Sequence, residues 1–224
     1  MSDRVKTHRG LTTEFVVDTA LDLADSGGID AVSLRRLATM LEVTPMAIYR
    51  HVRDKDDLLD LMADRLLGEL DLPAADAPTW QEALRQLGTG FLAVVQAHPA
   101  APFLLSRPFE SATALRVSET ILAILSRAGF SPTDAVRLLQ VLTGMLLGPA
   151  IHRATYGAAW RELPTDATSG QAGSTPPSPT EFPHLWGVAD ELMDWSSARE
   201  LDRLLVDLWV AGVHKLADER ERGA

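Results

Sequence analysis

Hydrophobic residues recur at helical spacing along most of the chain. Between Thr12 and Asp25 the apolar positions share one helical face, and the pair Gly27-Gly28 then ends the pattern. Ser33 can cap a second helix, whose apolar positions 34, 37, 38 and 41 form a single stripe. This patterning predicts an all-α protein.

A break at residues 42–45 separates the second helix from a short third one. Thr44 can cap this third helix, and Pro45 occupies its first position, where the missing N–H costs nothing. Because Ile48 and Val52 share one face, the residues around them can point away from the core. Two short helices joined by a tight turn predict a helix-turn-helix, which sets its second helix into the DNA major groove.

Charge supports this interpretation only locally. The formal net charge of −10 argues at first against a nucleic-acid partner. Residues 33–55 nevertheless hold five basic and two acidic residues, and residues 3–9 hold three basic and one acidic. A solvated charged face on an all-α core is the alternative, so composition and periodicity leave both interpretations open.

Other classes of protein find little support in the sequence. Without cysteine there can be no disulfide framework and no thiolate zinc site. No secretory signal and no apolar run of bilayer length is recognised, so we expect a cytoplasmic protein without a membrane. The six histidines lack metal-binding spacing, and no phosphate loop or nucleophile elbow occurs. We therefore expect no catalytic residues, no metal and no cofactor, with an α-helical enzyme or adaptor as the alternative class.

Three stretches carry a resemblance to a known family: "ALDLADSGGIDAVSLRRLA", "TPMAIYRHV" and "DKDDLLD". Together they resemble the DNA-binding domain of the tetracycline-repressor (TetR) family of bacterial regulators. The resemblance implies that Ser33 and Arg35 face operator DNA and that the recognition helix contacts bases or backbone. It implies these DNA-binding residues: Ser33, Arg35, Thr44, Pro45, Met46, Tyr49, Arg50, His51 and Lys55.

One position departs from the family pattern. The turn position that is usually glycine is Glu42 in this chain. A non-glycine residue with positive φ is strained by roughly 1 kcal/mol. We therefore expect either a slightly different turn or compensation by neighbouring packing.

A Pro/Ala/Asp-rich stretch after Leu70 predicts a domain boundary. We assign residues 1–70 to a helix-turn-helix domain with its connecting fourth helix, and residues 71–224 to a ligand-binding and dimerisation domain. The second part resembles the family's regulatory domain in helix order and in landmarks such as "AGFSP". The resemblance implies a homodimer formed by the long helix after Ser131 and the final helix, which would place two recognition helices roughly 34 Å apart on a palindromic operator. Gly144 and Gly148 either permit close helix approach in that dimer or relieve crowding inside the subunit.

The regulatory domain lacks the family's magnesium-tetracycline chemistry. The corresponding positions hold Asp71, the run 103–105, Leu87 and Ile121. The family's pocket positions that the resemblance carries over to this chain are Phe91 and Arg107. An apolar pocket with one or two polar anchors is the usual form of a small-molecule site, so we expect an apolar or anionic ligand held by Arg107. Ordinary core packing, with Arg107 as a structural cap, is the alternative. The candidate ligand-binding residues are Phe91, Phe103, Arg107, Met145, Leu146, His152 and Trp186.

Taken together, these features predict a ligand-responsive transcriptional regulator. In the expected mechanism a small-molecule effector shifts the fourth helix and releases double-stranded operator DNA, as in a repressor; an activator of the same fold is the nearer alternative. The Pro/Gly/Ser-rich segment 162–183 is expected to form a long mobile loop.

Overall fold

The chain, in a computed structural model, is described over residues 11–74, 77–108, 110–161, 180, 183–186 and 198–223. The described residues form α-helices and one 3₁₀ turn and contain no strand, which confirms the predicted all-α class. The helices are α1 (Thr13–Gly27), α2 (Leu34–Met40), α3 (Pro45–Ile48), α4 (Lys55–Leu67), α5 (Trp80–Ala97), α6 (Ala101–Leu105), α7 (Ala112–Arg127), α8 (Pro132–Arg161), α9 (Pro183–Trp186) and α10 (Ala198–Gly223). Most of the segment 162–183, where a loop is expected, lies outside the described residues.

Side-chain caps begin several helices where the sequence predicts them. The Ser33 hydroxyl accepts from the Arg36 N–H at 3.2 Å, and an Asp54 carboxylate oxygen accepts from the Asp57 N–H at 2.8 Å. Thr44 is the exception. It stands at the N-cap position of α3, but its side chain accepts no cap hydrogen bond. Pro45 has no N–H, so the start of α3 has one fewer donor without a helical partner.

Helices α1 to α4 enclose one apolar core that continues into the regulatory part. Ile48, Leu58 and Met62 are fully buried in it, together with Ala101 and Leu104 of α6. A second core lies among α5, α7, α8 and α10 around Trp209. The connecting helix α4 therefore packs on both regions of the molecule.

Helix α10 is attached to its neighbours by charged and polar groups as well as by apolar packing. Asp202, only 5% exposed, accepts from Arg153 Nη1 at 2.6 Å and from Gln96 Nε2 at 2.5 Å. Such charge-assisted bonds supply the partners that a buried carboxylate requires. They fix the orientation of α10 against α5 and α8.

Candidate DNA-binding surface and regulatory cavity

The segment that follows the turn presents its polar and apolar groups to solvent on a well-anchored backbone. Ile48 and Val52 are 0% and 2% exposed and hold the segment against the core. Regular α-helix ends at Ile48, but helical hydrogen bonds continue as far as the Val52 N–H, which donates to the Ile48 carbonyl at 3.1 Å. Met46 and Tyr49 are 66% and 51% exposed, and Pro45 and Arg50 are exposed beside them.

The turn between α2 and α3 adopts the strained conformation. Glu42 has φ of 56°, and the Val43 N–H donates across the turn to the Ala38 carbonyl at 2.9 Å. The Glu42 N–H donates to the Thr39 carbonyl at 3.3 Å, which completes a Schellman-type helix end. Of the two expectations for this position, a different turn is therefore wrong: the turn keeps the form that favours glycine, and glutamate bears the strain.

Helix α2 contributes the second part of the exposed surface. Ser33 and Arg35 are exposed at its beginning, and the Ser33 hydroxyl is already engaged in capping. Met40, 49% exposed at the end of α2, adds an apolar group that the sequence interpretation did not select. The exposure of Met40 could have been predicted from the sequence, because position 40 lies off the apolar stripe that buries α2.

His51 and Lys55 lie at the junction between the recognition segment and α4. The His51 ring is half-buried, with Nδ1 3.2 Å from the Thr13 hydroxyl, so it ties this segment to α1. Lys55 is exposed as the first residue of α4. Among the described residues, Arg35, Arg50 and Lys55 make no ion pair within 4 Å.

Arg53 differs from these neighbouring cations. Its guanidinium donates to Asp57 from Nη2 at 2.6 Å and from Nε at 3.0 Å, and its backbone N–H donates to the same carboxylate at 2.8 Å. The bonds from Arg53 lower the pKa of Asp57, and the bond to Asp57 raises the pKa of Arg53. Arg53 therefore braces the start of α4, although its side chain is exposed.

A cavity of about 150 Å³ lies where six helices meet. Phe91 and Leu146, both candidate ligand-binding residues, line it. The remaining lining residues come from α4 and the segment after it, from α5 to α8 and from α10: Leu67, Leu70, Leu87, Leu105, Ala114, Val117, Ser118, Ile121, Leu139, Leu142, Thr143, Leu147 and Trp209. Because the lining spans residues 67 to 209, no local motif could have identified it.

Four other candidate ligand-binding residues do not line this cavity. Phe103 is 37% exposed and His152 is exposed, and Met145 packs half-buried against the second core. Arg107 is held elsewhere, because its Nη1 lies 3.3 Å from Asp60 and its Nη2 3.3 Å from Asp56 on α4. Arg107 is therefore not placed to hold an anionic ligand in this cavity. The side chain of Trp186 lies outside the described atoms.

A second polar link joins the regulatory part to the DNA-binding helices. His98, at the end of α5, has Nδ1 2.7 Å from Asp25 and Nε2 3.2 Å from Glu69. The other Asp25 oxygen accepts from the Ala100 N–H at 3.0 Å. The ends of α1, α4 and α5 and the start of α6 are thus joined around one imidazole.

Helices α8 and α10 expose an apolar surface, here called the bundle face. It consists of Val136, Val141, Leu201, Leu204 and Leu208, which are 44–56% exposed, with Gly144, Gly148 and Gly212. A Cβ added at any of these glycines would meet nothing within 4 Å. The idea that Gly144 and Gly148 relieve crowding inside the subunit is therefore wrong.

Helix α8 also bears on the expectation about membranes. Among the described residues it is the one helix long and apolar enough to cross a membrane by length and composition: an 18-residue window within Pro132–Thr155 has a mean hydropathy of 1.3, and 28% of that window is buried. The expectation that no stretch is long and apolar enough to cross a membrane is wrong, because residues 138–152 contain no Asp, Glu, Lys or Arg. No group of three or more His, Asp or Glu side chains that could hold a metal ion occurs in the described part of the chain.

Two family descriptions match the chain. Residues 16–62 match "Bacterial regulatory proteins, tetR family", and residues 72–200 match "Tetracyclin repressor-like, C-terminal domain". The first match covers the helix-turn-helix and most of α4. The second covers all the cavity-lining residues except Leu67, Leu70 and Trp209.

Curated proteins and solved structures agree with these matches. An HTH-type transcriptional regulator of Saccharopolyspora erythraea is 34% identical over 62% of this chain and 59% of its own length, and DrrR1, a transcriptional repressor of Streptomyces coeruleorubidus, is 32% identical over 62% and 53%. The chain thus spans between half and three fifths of these two relatives. The class D tetracycline repressor of Escherichia coli is 31% identical over 69% of this chain and 72% of its own length.

Solved structures of similar fold come from regulators of the same kind. ActR of Streptomyces coelicolor in complex with actinorhodin superposes with a TM-score of 0.70 and 25% identity, over 91% of this chain and 95% of that one. A regulator from Acinetobacter baumannii superposes with a TM-score of 0.69 over 93% and 99%. The helix-turn-helix geometry and the two family matches lead to one assignment: this chain belongs to the TetR family.

Proposed function

We propose that the chain is a ligand-responsive, sequence-specific DNA-binding regulator, a repressor that a small molecule releases from a palindromic operator in the cytoplasm. The observation that carries this proposal is the recognition segment, where Met46, Tyr49 and Arg50 are exposed around the buried anchors Ile48 and Val52. Met46 and Tyr49 lie beside Arg50, which makes no ion pair among the described residues, so the segment presents apolar and basic groups together. A DNA groove supplies both thymine methyl groups and phosphates.

The exposed groups divide into two roles. Arg35, together with Met46, is suited to base edges, because a guanidinium binds guanine with two hydrogen bonds and a thioether contacts the thymine methyl. Lys55, Arg50, His51 and the hydroxyls of Tyr49, Thr44 and Ser33 are suited to phosphates, which set register without carrying sequence information. Pro45 fixes the start of the segment.

Dimerisation through the bundle face completes the operator-binding form. The exposed leucines of α10 recur at positions 201, 204 and 208, and the glycines of both helices have open space above them. Glycine at these positions lets two helices approach closely, and a four-helix bundle of α8 and α10 with their symmetry mates would bury this face. Such burial also accounts for the apolar exposed side of α8 without a membrane.

Helix α4 is suited to carry the signal. Its first residue, Lys55, lies at the proposed DNA surface, and Leu67 near its end lines the cavity. The helix spans about 20 Å between them. Arg107 and His98 hold it from the regulatory side, so a ligand that widens the cavity would displace α4 and change the spacing of the two recognition segments. The ligand can release DNA only by as much as it prefers the displaced state.

Small-molecule regulation is also suggested by the relatives. ActR has been solved with actinorhodin, and the Acinetobacter baumannii protein, as a Gln-to-Ala variant, with minocycline. These ligands belong to those proteins. For this chain we carry over only that an organic molecule occupies the regulatory part.

The test is selection of duplexes from a random-sequence pool by the purified protein, followed by titration of the selected duplex against a non-specific competitor. We expect saturable binding of one dimer to a palindrome, and reduced transcription from a promoter that overlaps the site. Binding that disappears with competitor would contradict a sequence-specific regulator. Increased transcription from a promoter beside the site would make it an activator.

A further inference from the structure

Hydrocarbon side chains form almost the whole wall of the regulatory cavity. Among its lining residues only Ser118, Thr143 and Trp209 carry a nitrogen or oxygen atom in the side chain, and no lining residue carries a charge. The cavity therefore presents apolar surface to a ligand, with polar partners from these three residues at most.

Two of these three residues have no hydrogen-bond donor available to a ligand. The Thr143 hydroxyl donates to the Leu139 carbonyl at 2.8 Å, as a helical threonine commonly does. Trp209 is 2% exposed and its Nε1 is buried, so the ring adds apolar surface to the cavity without an accessible N–H. The Ser118 hydroxyl is the remaining donor of the lining, and one neutral hydrogen bond changes an affinity by about tenfold at most.

The lining also lacks a partner for an anion or a metal ion. Arg107, which the sequence suggested as an anchor, is engaged by Asp56 and Asp60 on α4. No Asp, Glu or His side chain lines the cavity. A charged or metal-bound ligand would lose its hydration in this cavity without gaining a counter-ion or a ligand for its metal.

The volume sets the size of a ligand that fits without rearrangement. A dry apolar cavity of about 150 Å³ accommodates a single aromatic ring. The walls around such a ring include Leu67 and Leu70, at the end of α4 and just after it, and Leu105, which lies two residues before Arg107. An apolar ligand in this cavity therefore contacts residues that are connected directly to the DNA-binding helices.

We propose that the effector is an uncharged molecule, bound without a metal ion, and that the cavity selects it by apolar surface and shape instead of by a hydrogen bond or an ion pair. This proposal rests on the proposed function, because it assigns the chemistry of the effector. Of the two ligand classes expected from the sequence, apolar and anionic, it selects the apolar one.

The experiment compares the binding of three one-ring probes to the full-length protein by calorimetric titration. Toluene is apolar, phenol replaces its methyl group by a hydroxyl, and benzoate carries a charge. We expect toluene to bind at least about fivefold more tightly than phenol, because phenol loses apolar surface and buries a hydroxyl, and benzoate to bind most weakly. Equal or tighter binding of phenol or benzoate, or no binding of toluene, would overturn the proposal.

Nuclear magnetic resonance locates the bound probe. The methyl resonances of Leu67 and Leu146 in the cavity should move with toluene, and those of Leu204 and Leu208 on the bundle face should not. Shifts confined to the bundle face would contradict the proposal, because they would show adsorption to a different apolar surface.

Two substitutions on α7 supply a matched comparison. Ala114→Phe fills the cavity and should abolish toluene binding, whereas Ala112→Phe, at an exposed position of the same helix, should leave it unchanged. Unaltered binding to a folded Ala114→Phe protein would overturn the proposal. If that variant does not fold, the methyl resonances of the wild-type protein still decide.

Ser118→Ala tests the remaining hydroxyl donor of the lining. Because apolar surface is proposed to select the ligand, the affinities for toluene and phenol should stay within about twofold of the wild-type values. A larger loss of phenol affinity would show that a hydrogen bond contributes to selection, which contradicts the proposal.

Titration of the same wild-type protein with its selected DNA separates the two levels of the argument. Specific DNA binding together with a preference for phenol or benzoate would refute the assignment of the effector alone. Absence of specific DNA binding would refute the proposed function, whatever the probes show.

Discussion

The DNA-binding helices and the regulatory helices differ in how far apart along the chain the residues of each site lie. The candidate DNA-binding residues fall between 33 and 55, from the cap of α2 to the first residue of α4. The cavity is lined by residues from 67 to 209 on six helices. Local helical geometry therefore determines which groups the first region exposes, whereas tertiary packing alone determines what lines the second.

Polar groups follow the same contrast. Arg35, Arg50 and Lys55 are exposed and make no ion pair with the described residues, so they are available to a polyanion. In the regulatory region three arginines join neighbouring helices: Arg107 with α4, Arg153 with Asp202, and Arg85 with Asp207. The three cations near the recognition segment are thus available to bind a partner, whereas the three arginines of the regulatory region hold helices together.

We expect the largest effect on operator affinity from changes to the bundle face, because the proposed dimer holds the two DNA-binding regions together through it. The double change Leu204→Glu and Leu208→Glu places four like charges in the proposed dimer interface. We expect monomers by sedimentation velocity, and operator affinity reduced by at least about 100-fold because the second half-site is no longer held nearby.

Leu115→Glu is the matched control, since Leu115 is 69% exposed on α7 away from the bundle face. It should leave both the dimer and operator binding unchanged. A dimer that survives the double change would show that the two regions are not joined through this interface.

Arg35→Ala tests the DNA-binding surface alone. Loss of a guanidinium from a base edge should cost about 1–3 kcal/mol per subunit and relax the preference at one position of each half-site. Repeated selection from random DNA would measure this change.

Lys55→Ala provides the comparison, because a phosphate contact acts on all sequences alike. It should weaken binding uniformly and lower the salt dependence by about one counterion per subunit. Arg116→Ala on α7 should change neither property. If Arg35→Ala and Lys55→Ala gave the same uniform loss, the division into base and phosphate contacts would be wrong.

Glu42→Gly addresses backbone strain in the first region. With φ of 56° at this position, glycine removes a steric penalty of roughly 1 kcal/mol and loses part of that gain to its greater freedom in the unfolded chain. We expect the free energy of unfolding to rise by about 0.5 kcal/mol in urea titrations. Gly129→Ala, at φ of 84°, should lower it. A destabilised Glu42→Gly protein would mean that the glutamate side chain contributes more than the strain costs.

The smallest effect concerns acid stability of the second region. Asp134 accepts from the Ser131 hydroxyl at 2.6 Å and from Arg220 at 2.5 Å, and these bonds, the Ser131 bond foremost, lower its pKa from 3.8 to about 2. A lowered pKa in the folded state means stabilisation that is complete above about pH 4 and lost as the pH falls towards 2. Asp134→Asn should remove this part of the pH dependence in thermal melts between pH 5 and 2. An unchanged profile would show that the link from α8 to α10 does not contribute.

The sequence predicted the helices, the Ser33 cap and the exposed side of the recognition segment because each depends on residues a few positions apart. It also singled out Glu42, whose positive φ follows from the turn that the neighbouring helices require. It assigned Arg107 to the ligand because nothing local shows that Asp56 and Asp60 lie within reach. Trp209 was not selected, since a tryptophan in an amphipathic helix looks like any core residue until the cavity that it lines is seen.

The long helix α8 also shows what the sequence pattern does not determine. Its residues are apolar on nearly every face, as in a helix buried on several sides, yet only 28% of its most apolar window is buried within the subunit. An apolar helix face can be buried inside its own subunit or against a partner subunit, and the sequence pattern is the same in both cases. The bundle face is the part of that pattern which the subunit does not use.

The most direct test of the account is a titration with the selected palindrome and with a version in which five base pairs are inserted between the half-sites. A rigid dimer that presents two recognition segments about one turn apart should bind the altered DNA at least about tenfold more weakly, because the second half-site then lies on the opposite face of the duplex. Equal affinity for the two duplexes would contradict a symmetric dimer that reads both half-sites at once.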